Sequence, residues 1–205
     1  MAFLRQQVEA GVEVEVKFIT SAPNLAGRPE EILPEIAFIG RSNCGKSSLI
    51  NYYLDRRSMA KISGKPGKPR LLNYFEVEEN YYLVDLPGYG FARVSKSTRH
   101  QWQKLIRQYF FAGDRPMAVF LLLDARHKPT EDDKKTLKWL QDAELPYSVV
   151  VTKIDKVSKN ILIERYREIV TTLQLSKNTP FFPTSSTAKI GRENLLQWVD
   201  ALLEE

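Results

Sequence analysis

Residues 40–47 read Gly-Arg-Ser-Asn-Cys-Gly-Lys-Ser and fit the pattern G-x-x-x-x-G-K-S/T, in which a glycine-bounded loop wraps a phosphate. Successive backbone N–H groups of such a loop point inward at the anion, and the glycines let the backbone approach its oxygens. The apolar run 36–39 supplies a strand before the loop, and a helix is expected to begin near Lys46. This order of strand, loop and helix predicts a phosphate site rather than an ordinary glycine turn.

Two side chains of this loop have the chemistry to act on a nucleotide. Lys46 offers an ammonium group to the β- and γ-phosphates, and the hydroxyl of Ser47 is a ligand for Mg²⁺. The candidate phosphate-binding residues are Gly40, Arg41, Ser42, Asn43, Cys44, Gly45, Lys46 and Ser47.

Length and composition predict one domain. The 205 residues are 43% apolar, which is enough for a core. A single cysteine excludes an intramolecular disulfide, the N-terminus lacks the apolar stretch of a signal peptide, and no window is long enough to span a membrane. We therefore expect a cytoplasmic protein without a membrane partner. Residues 1–34 are expected to form an N-terminal extension with a strand and a linker, and residues 35–205 the phosphate-loop domain.

The net charge of +5 is distributed unevenly. Residues 56–75 and 86–113 together contain eleven lysines and arginines and no acidic residue. Because the whole chain has 30 basic and 25 acidic residues, the remainder carries 19 basic residues against 25 acidic ones. The excess positive charge therefore belongs to two segments, and it indicates a polyanionic partner for them.

Strand and helix patterns alternate along the chain. They predict an α/β fold with a mostly parallel mixed sheet of about six strands, covered by helices on both faces. The hairpin of 71–77 and 81–85 makes the sheet mixed. The expected strands are 12–19, 36–39, 71–77, 81–85, 117–124, 147–152 and 181–184, and the expected helices run from the phosphate loop to about 54, over 97–111, from 130, over 159–173 and over 192–203. Thr130 and Asp133 have the spacing of a capping box.

Asp85 follows one of these strands and begins the segment Asp85-Leu86-Pro87-Gly88. An acid in this place is typical of the residue that holds Mg²⁺ opposite the loop serine, and Gly88 is then placed to offer its N–H to the γ-phosphate and to act as a hinge. Alone, an Asp before Pro-Gly would indicate only a turn. The phosphate loop favours the metal role.

Residues 152–155, Thr-Lys-Ile-Asp, follow another strand and are candidates for reading the base. A carboxylate accepts hydrogen bonds from N1–H and N2–H₂ of guanine, whereas adenine has an acceptor at N1 and no N2 amine. The candidates are Thr152, Lys153, Ile154 and Asp155. Thr184, Ser185 and Ser186 follow the last strand, where they either offer N–H groups to guanine O6 or cap a helix.

These motifs together resemble the EngB (YihA/YsxC) family of bacterial ribosome-assembly GTPases, and the resemblance covers nearly the whole chain. It implies a GTPase of the small G-protein fold that binds GTP and GDP with Mg²⁺. It further implies a role in assembly of the large ribosomal subunit and a link to normal cell division.

The segment after the first helix departs from that family's pattern. In that family the sequence of this segment resembles Thr-Pro-Gly-x-Thr, and the last threonine is a second protein ligand of Mg²⁺. This chain has Lys65 and Pro69 at the two threonine positions. Gly67, Lys68 and Pro69 are still expected to lie at the nucleotide, with weaker Mg²⁺ retention or a less ordered loop. Cys44 is a second departure, because the family commonly has a small aliphatic residue at this position. Its side chain is either packed under the loop or is a thiol of lowered pKa.

Catalysis is expected to depend on Lys46, Asn43 and Gly88, with slow intrinsic hydrolysis. Tyr89 stands where some GTPases have a glutamine that orients water, and a phenol is a poor substitute. Asn43 resembles the asparagine of potassium-activated GTPases, so either a K⁺ ion lies near the phosphates or Asn43 braces the loop. Neither His100 nor His127 belongs to a motif, and both are expected to be surface or structural residues.

We expect a monomer that binds ribosomal particles, with the basic segments 56–75 and 86–113 ordered by GTP to contact rRNA. A P-loop kinase is disfavoured because no acceptor site or lid is evident. The main alternative is a nucleotide-sensing RNA-binding module with little hydrolysis, which Pro69 and Tyr89 favour.

Overall fold

The computed structural model describes residues 14–56, 59–60, 71–90, 95–115 and 117–204. Within them, seven strands form one sheet. The strands are β1 Val16–Ala22, β2 Glu35–Gly40, β3 Leu72–Val77, β4 Tyr81–Asp85, β5 Met117–Asp124, β6 Tyr147–Thr152 and β7 Phe181–Pro183. The α-helices are α1 Lys46–Tyr53, α2 Lys96–Phe110, α3 Glu131–Asp142, α4 Lys159–Leu173 and α5 Arg192–Leu203.

The strand order is β1-β3-β4-β2-β5-β6-β7. Strands β4, β2, β5, β6 and β7 are parallel, whereas β1 and β3 as well as β3 and β4 pair antiparallel. This confirms the predicted mostly parallel mixed sheet. The strand expected in the N-terminal extension is the edge strand β1 of this same sheet, so the described sheet has one strand more than the six expected.

The position and burial of β1 differ from the prediction. The alternation over 12–19 predicts one buried face, but β1 begins at Val16 and its register shifts between Phe18 and Thr20. Phe18 is 55% exposed, although the pattern places it on the buried face. Phe18 pairs with Phe75 before this shift, in the same register as Val16 with Val77, so it keeps its face and is exposed because β1 is the edge strand of the sheet. Residues 12 and 13 lie outside the described part of the chain.

The sheet lies between two layers of helices. Side chains of β2 alternate between two hydrophobic clusters, with Ala37 and Ile39 in one and Ile36 and Phe38 in the other. The first cluster includes residues of α2, α3 and α4, namely Trp102, Ile106, Tyr109, Leu137, Leu140 and Ile169. The second includes residues of α1 and α5, namely Leu49, Ile50, Tyr53, Leu195, Leu196 and Val199. The side chains of residues 36–39 are therefore all apolar because both faces of the strand are buried, and Glu35 at its start is buried with bonds from Tyr109 and Arg115.

The start of α3 agrees with the local signal in the sequence. Thr130 and Asp133 form the predicted capping box, in which Asp133 accepts from the Thr130 N–H at 2.6 Å and Thr130 Oγ1 accepts from the Asp133 N–H at 3.3 Å. The box begins α3, and residues 125–130 connect this helix to β5. The connection between β5 and α3 lies beside the phosphate loop.

Candidate nucleotide-binding site

The phosphate loop connects β2 to α1 and is built around two glycines. A Cβ atom on Gly40 would lie 2.7 Å from the Leu122 carbonyl oxygen and 2.8 Å from Cys44 Sγ, so no other residue fits there. Gly45 is the N-cap of α1 with φ +101°, and no side chain caps this helix end. The first N–H groups of α1 have no acceptor within the helix, so the loop presents donors and the positive end of the helix dipole to an anion.

Cys44 is packed under the loop and is 2% exposed. Burial raises the pKa of its thiol to about 11, and the nearby charge of Lys46 offsets this only in part. The packing interpretation is therefore correct, and the alternative of a lowered pKa is wrong. Desolvation of the thiolate outweighs the attraction of one ammonium group.

Lys46 and Asp85 form an ion pair across the end of the sheet. Asp85 lies at the end of β4, and its other oxygen is 3.5 Å from Asn73 Nδ2. Ser47 is half-buried in the first turn of α1. Among the described residues no group of three or more His, Cys, Asp or Glu side chains could hold a metal by themselves. The hydroxyl of Ser47 and the carboxylate of Asp85 fit Mg²⁺, which takes one or two protein oxygens together with phosphate oxygens.

Gly88 and Tyr89 lie directly against the phosphate loop. A Cβ atom on Gly88 would be 3.2 Å from the Gly40 carbonyl oxygen and 3.3 Å from the Ser42 nitrogen. The Tyr89 N–H donates to the Gly40 carbonyl at 3.1 Å, and the Ser42 N–H donates to the Tyr89 carbonyl at 2.7 Å. One of the N–H groups expected at the phosphate is therefore bound to the segment after β4. Leu86 and Pro87, which lead into this contact, are buried.

The side chain of Tyr89 points away from the loop into the core. It is 3% exposed, its ring lies 6.0 Å from that of Trp102, and its hydroxyl donates to Asp133 Oδ1 at 2.6 Å. Burial, followed by the nearby charge of Asp133, raises the pKa of this phenol well above its usual value. The hydroxyl is thus a neutral donor to Asp133.

The segment after β6 is tied to the phosphate loop. Thr152 Oγ1 contacts the carbonyl oxygens of Cys44 and Leu123, at 3.2 Å for the latter. Lys153 has φ +59°, and its ammonium group donates to the Asn43 carbonyl and lies 3.0 Å from Asp124. These bonds fix the base-reading segment relative to the loop that would hold the phosphates.

The side chains of Asp155 and Ser185 are joined by a hydrogen bond, but the backbone N–H groups of Thr184 and Ser185, expected at guanine O6, donate instead to the carbonyls of Val151 at 2.7 Å and Ile190 at 3.1 Å. Ser185 Oγ donates to Asp155 Oδ1 at 2.6 Å and accepts from the Ala188 N–H at 2.9 Å. The Ser185 hydroxyl is the main cause that lowers the pKa of Asp155, so the carboxylate is held ionised. The helix-capping alternative for 184–186 is wrong, because α5 has Gly191 as its N-cap.

The other predicted residues fall into three groups. Ile154 and Thr184 join the two base-reading segments through a hydrogen bond from the Ile154 N–H to the Thr184 carbonyl at 3.3 Å, and Ser186 is half-buried beside them. Arg41 and Asn43 are exposed on the loop. Gly67, Lys68 and Pro69, together with Lys65, lie outside the described residues.

Asp124 is a site residue that the sequence patterns did not reveal. It ends β5, is 9% exposed, and accepts from both Arg126 and Lys153. Burial opposes its ionisation, but the hydrogen bonds from Arg126 and Lys153 outweigh burial and lower its pKa. Its position at the carboxyl end of an apolar strand, like that of Asp85, is the signal that could have identified it.

A cavity of about 410 Å³ lies between the loop residues 41–44 and the end of β5 at 122–124, together with residues 126–130 of the β5–α3 connection. His127 is exposed on that connection, and His100 is exposed on α2, as expected. The loop, Asp85 and the base-reading residues all follow the carboxyl ends of β2, β4, β6 and β7, where ligands bind in open parallel sheets. Fold and site together define a P-loop nucleotide-binding protein of the small G-protein type.

Comparison with known proteins identifies the family within this class. Residues 35–153 match the protein family described as "50S ribosome-binding GTPase". The chain is 41% identical to a probable GTP-binding protein EngB of Flavobacterium johnsoniae over 92% of this chain and 91% of the relative. It is 43% identical to the Christiangramia forsetii protein of the same name, over 91% of this chain and 95% of that one. The chain belongs to the EngB family of GTP-binding proteins, and it is a GTPase.

Solved structures share the fold. A crystal structure of a probable GTP-binding protein EngB superposes with a TM-score of 0.70 at 21% identity, covering 83% of this chain and 98% of that one. Era in complex with MgGDPNP and nucleotides 1506–1542 of 16S ribosomal RNA superposes with a TM-score of 0.59 at 23% identity, covering 85% of this chain and 57% of Era.

Proposed function

We propose that this GTPase is a nucleotide switch in assembly of the large ribosomal subunit, with slow intrinsic hydrolysis and a link to normal cell division. The observation that carries the proposal is the bonding of Thr152 and Lys153 to the phosphate loop. This bonding supports the proposal because it ties the segment that contains Asp155, the carboxylate proposed to read guanine, to the phosphate loop. The family description and the names of the relatives support the ribosomal role.

The base-reading part of the site supports selection of guanine. Asp155 is held ionised by Ser185, so its oxygens act only as acceptors. Guanine presents two donors to such a group, and adenine presents none at N1. Asp155 is exposed in the structure, and a bound base would cover it; the wrong base would leave the covered carboxylate unpaired, which discriminates strongly.

Ser47 and Asp85 are the residues that would hold Mg²⁺ with the nucleotide. When bound, the ion supplies positive charge at the β- and γ-phosphates. Lys46 now pairs with Asp85, and we expect it to turn to the phosphates when the nucleotide binds. Pro69 in place of a threonine is expected to weaken Mg²⁺ retention. For Asn43, K⁺ binding and bracing of the loop both remain open; equal turnover in K⁺ and Na⁺ would exclude the first.

The position of Tyr89 supports slow hydrolysis. Its hydroxyl is bound to Asp133 inside the core, so it is not available to orient an attacking water. We propose that a ribosomal particle completes the catalytic arrangement. Pro69 and Tyr89 also favour the second candidate function, which is a nucleotide-sensing RNA-binding module with little hydrolysis.

The basic segments 56–75 and 86–113 support rRNA as the partner. In the described part of the chain no helix is long and apolar enough to cross a membrane. We propose a cytoplasmic monomer whose GTP form binds ribosomal particles and whose GDP form is released.

The test is to measure affinities for GTP, GDP and ATP with and without Mg²⁺, followed by single-turnover hydrolysis with and without large ribosomal subunits. We expect guanine-selective binding, a GTP affinity that depends on Mg²⁺, and faster hydrolysis on the subunit. Absence of guanine selectivity would refute the proposal. Selective binding without hydrolysis, even on the subunit, would favour the RNA-binding module.

A further inference from the structure

The outer side of α2 carries a row of exposed side chains. His100, Lys104, Arg107 and Phe111 follow one another at intervals of three or four residues, so they project from the same side over roughly 17 Å. All four are exposed, whereas the opposite side of the helix packs into the first hydrophobic cluster. We call these four residues the basic face.

The charged residues of α2 itself all have one sign, although Asp132 of the neighbouring helix lines the same small pocket as Gln103. No acidic residue occurs between positions 86 and 113 of the sequence, and the first acid after them, Asp114, is bound by Arg28. On the neighbouring helix Lys135 reaches toward α2, and its ammonium group donates to Gln103 Oε1 at 3.2 Å. The first turn of α2 contains basic residues and no acid, which is unfavourable at the positive end of a helix dipole. Such a face is complementary to a polyanion.

An exposed aromatic ring ends the row. Phe111 is 45% exposed, and the Arg107 guanidinium carbon lies 5.6 Å from the centre of its ring. Proteins that bind single-stranded nucleic acid combine a basic track for the backbone with aromatic rings on which bases stack, and arginine adds a cation–π contribution. A ring in this position distinguishes the basic face from an ordinary solvated row of charges.

We infer that the basic face is a contact surface for single-stranded RNA, in which Lys104 and Arg107 hold the phosphate backbone and Phe111 stacks on an unpaired base. This inference rests on the proposed function, because it names the part of the chain that meets ribosomal RNA. It also goes further, since it requires an unpaired base as well as phosphate charge.

The experiment uses the full chain with a non-hydrolysable GTP analogue and two fluorescent probes. One probe is a single-stranded RNA of adenosines, and the other is a ribose–phosphate strand of equal length without bases. Binding is followed by anisotropy over a range of KCl concentrations. The variants are Lys104→Gln with Arg107→Gln, Phe111→Ala and Phe111→Trp. The control, Lys159→Gln with Arg167→Gln, removes two exposed charges from α4, and GDP affinity reports that each variant is folded.

We expect the Lys104 and Arg107 variant to bind both probes about tenfold more weakly, with a salt slope reduced by about 1.4, or roughly 0.7 for each lost phosphate contact. Phe111→Ala should bind the adenosine strand about tenfold more weakly and the strand without bases unchanged, and Phe111→Trp should bind like the wild type. The α4 control should stay within twofold of the wild type.

Two results would overturn the inference, and they differ in what else they refute. If the wild type binds large ribosomal subunits in its GTP form but the α2 variants match the α4 control, only the basic face is wrong. If the wild type binds neither the probes nor the subunits, the proposed function fails as well.

Discussion

Asp155 is the residue on which guanine selection depends in the proposed site. In Asp155→Asn an amide donor replaces an acceptor oxygen, which opposes guanine and suits xanthine, whose C2 carries a carbonyl. We expect GTP and GDP affinity to fall at least a hundredfold and xanthosine triphosphate to bind more tightly than GTP, measured by competition with a fluorescent nucleotide. Ser185→Ala is the matched control, because it keeps the carboxylate and removes only its hydrogen bond. We expect this variant to lose GTP and GDP affinity roughly tenfold and to keep its preference for guanine. Unchanged guanine preference in Asp155→Asn would show that another group reads the base.

Cys44 provides a second test at the scale of one residue. Its thiol pKa is raised from 9.0 to about 11, so the folded protein holds about a hundredfold less thiolate than an unfolded chain below pH 9. Alkylation by iodoacetamide at pH 8 should therefore be at least a hundredfold slower in the folded protein than in urea, and it should accelerate as the pH rises toward 11. GTP should leave this rate unchanged within a factor of two. Fast alkylation that GTP suppresses would instead indicate a reactive thiol at the loop surface.

At the scale of elements, local patterns predicted most of the fold. Helices α4 and α5 have the ends expected from their sequences, because capping residues and apolar periodicity are local signals. The phosphate loop could also be predicted, since its glycines and lysine lie within eight consecutive residues. The exposure of Phe18 on β1 was not predicted, because alternation in the sequence does not show that β1 is the edge strand of the sheet. The bond from Tyr89 to Asp133 spans 44 positions, and no pattern of neighbouring residues reports such a contact.

That same bond joins two elements, the segment after β4 and the capping box of α3. Tyr89→Phe removes the hydroxyl and leaves Asp133 Oδ1 without this donor in a buried site, so we expect the free energy of unfolding to fall by about 1–3 kcal/mol in urea titrations. Turnover of GTP should stay within threefold of the wild type, because the hydroxyl faces the core. Tyr147→Phe is the control, because it removes a hydroxyl that accepts an exposed hydrogen bond from Gln141 Nε2 at 3.4 Å. We expect it to leave the free energy of unfolding unchanged. Loss of turnover at unchanged stability would assign the Tyr89 hydroxyl to catalysis.

At the scale of the whole molecule, the site draws on segments that are far apart in the chain. Asp85 and Thr152 end β4 and β6, Ser185 follows β7, and the nucleotide would connect them to the phosphate loop. Ligand binding to the folded state alone stabilises it by RT ln(1 + [L]/Kd). A guanine nucleotide should therefore stabilise the entire domain and not only the loop.

GDP with Mg²⁺ at one hundred times its Kd should add about 2.7 kcal/mol of stability. For a domain of this size each kcal/mol corresponds to about 2–4 °C, so the unfolding midpoint should rise by roughly 5–11 °C, as measured by differential scanning fluorimetry. ADP should produce no shift, because adenine offers Asp155 no donor at N1. Asp155→Asn should lose the response to GDP and gain one to xanthosine diphosphate while its midpoint without nucleotide stays near that of the wild type. An equal shift with ADP and GDP would mean that the phosphate loop binds nucleotides without reading the base, and the assignment of 152–155 and 184–186 would then be wrong.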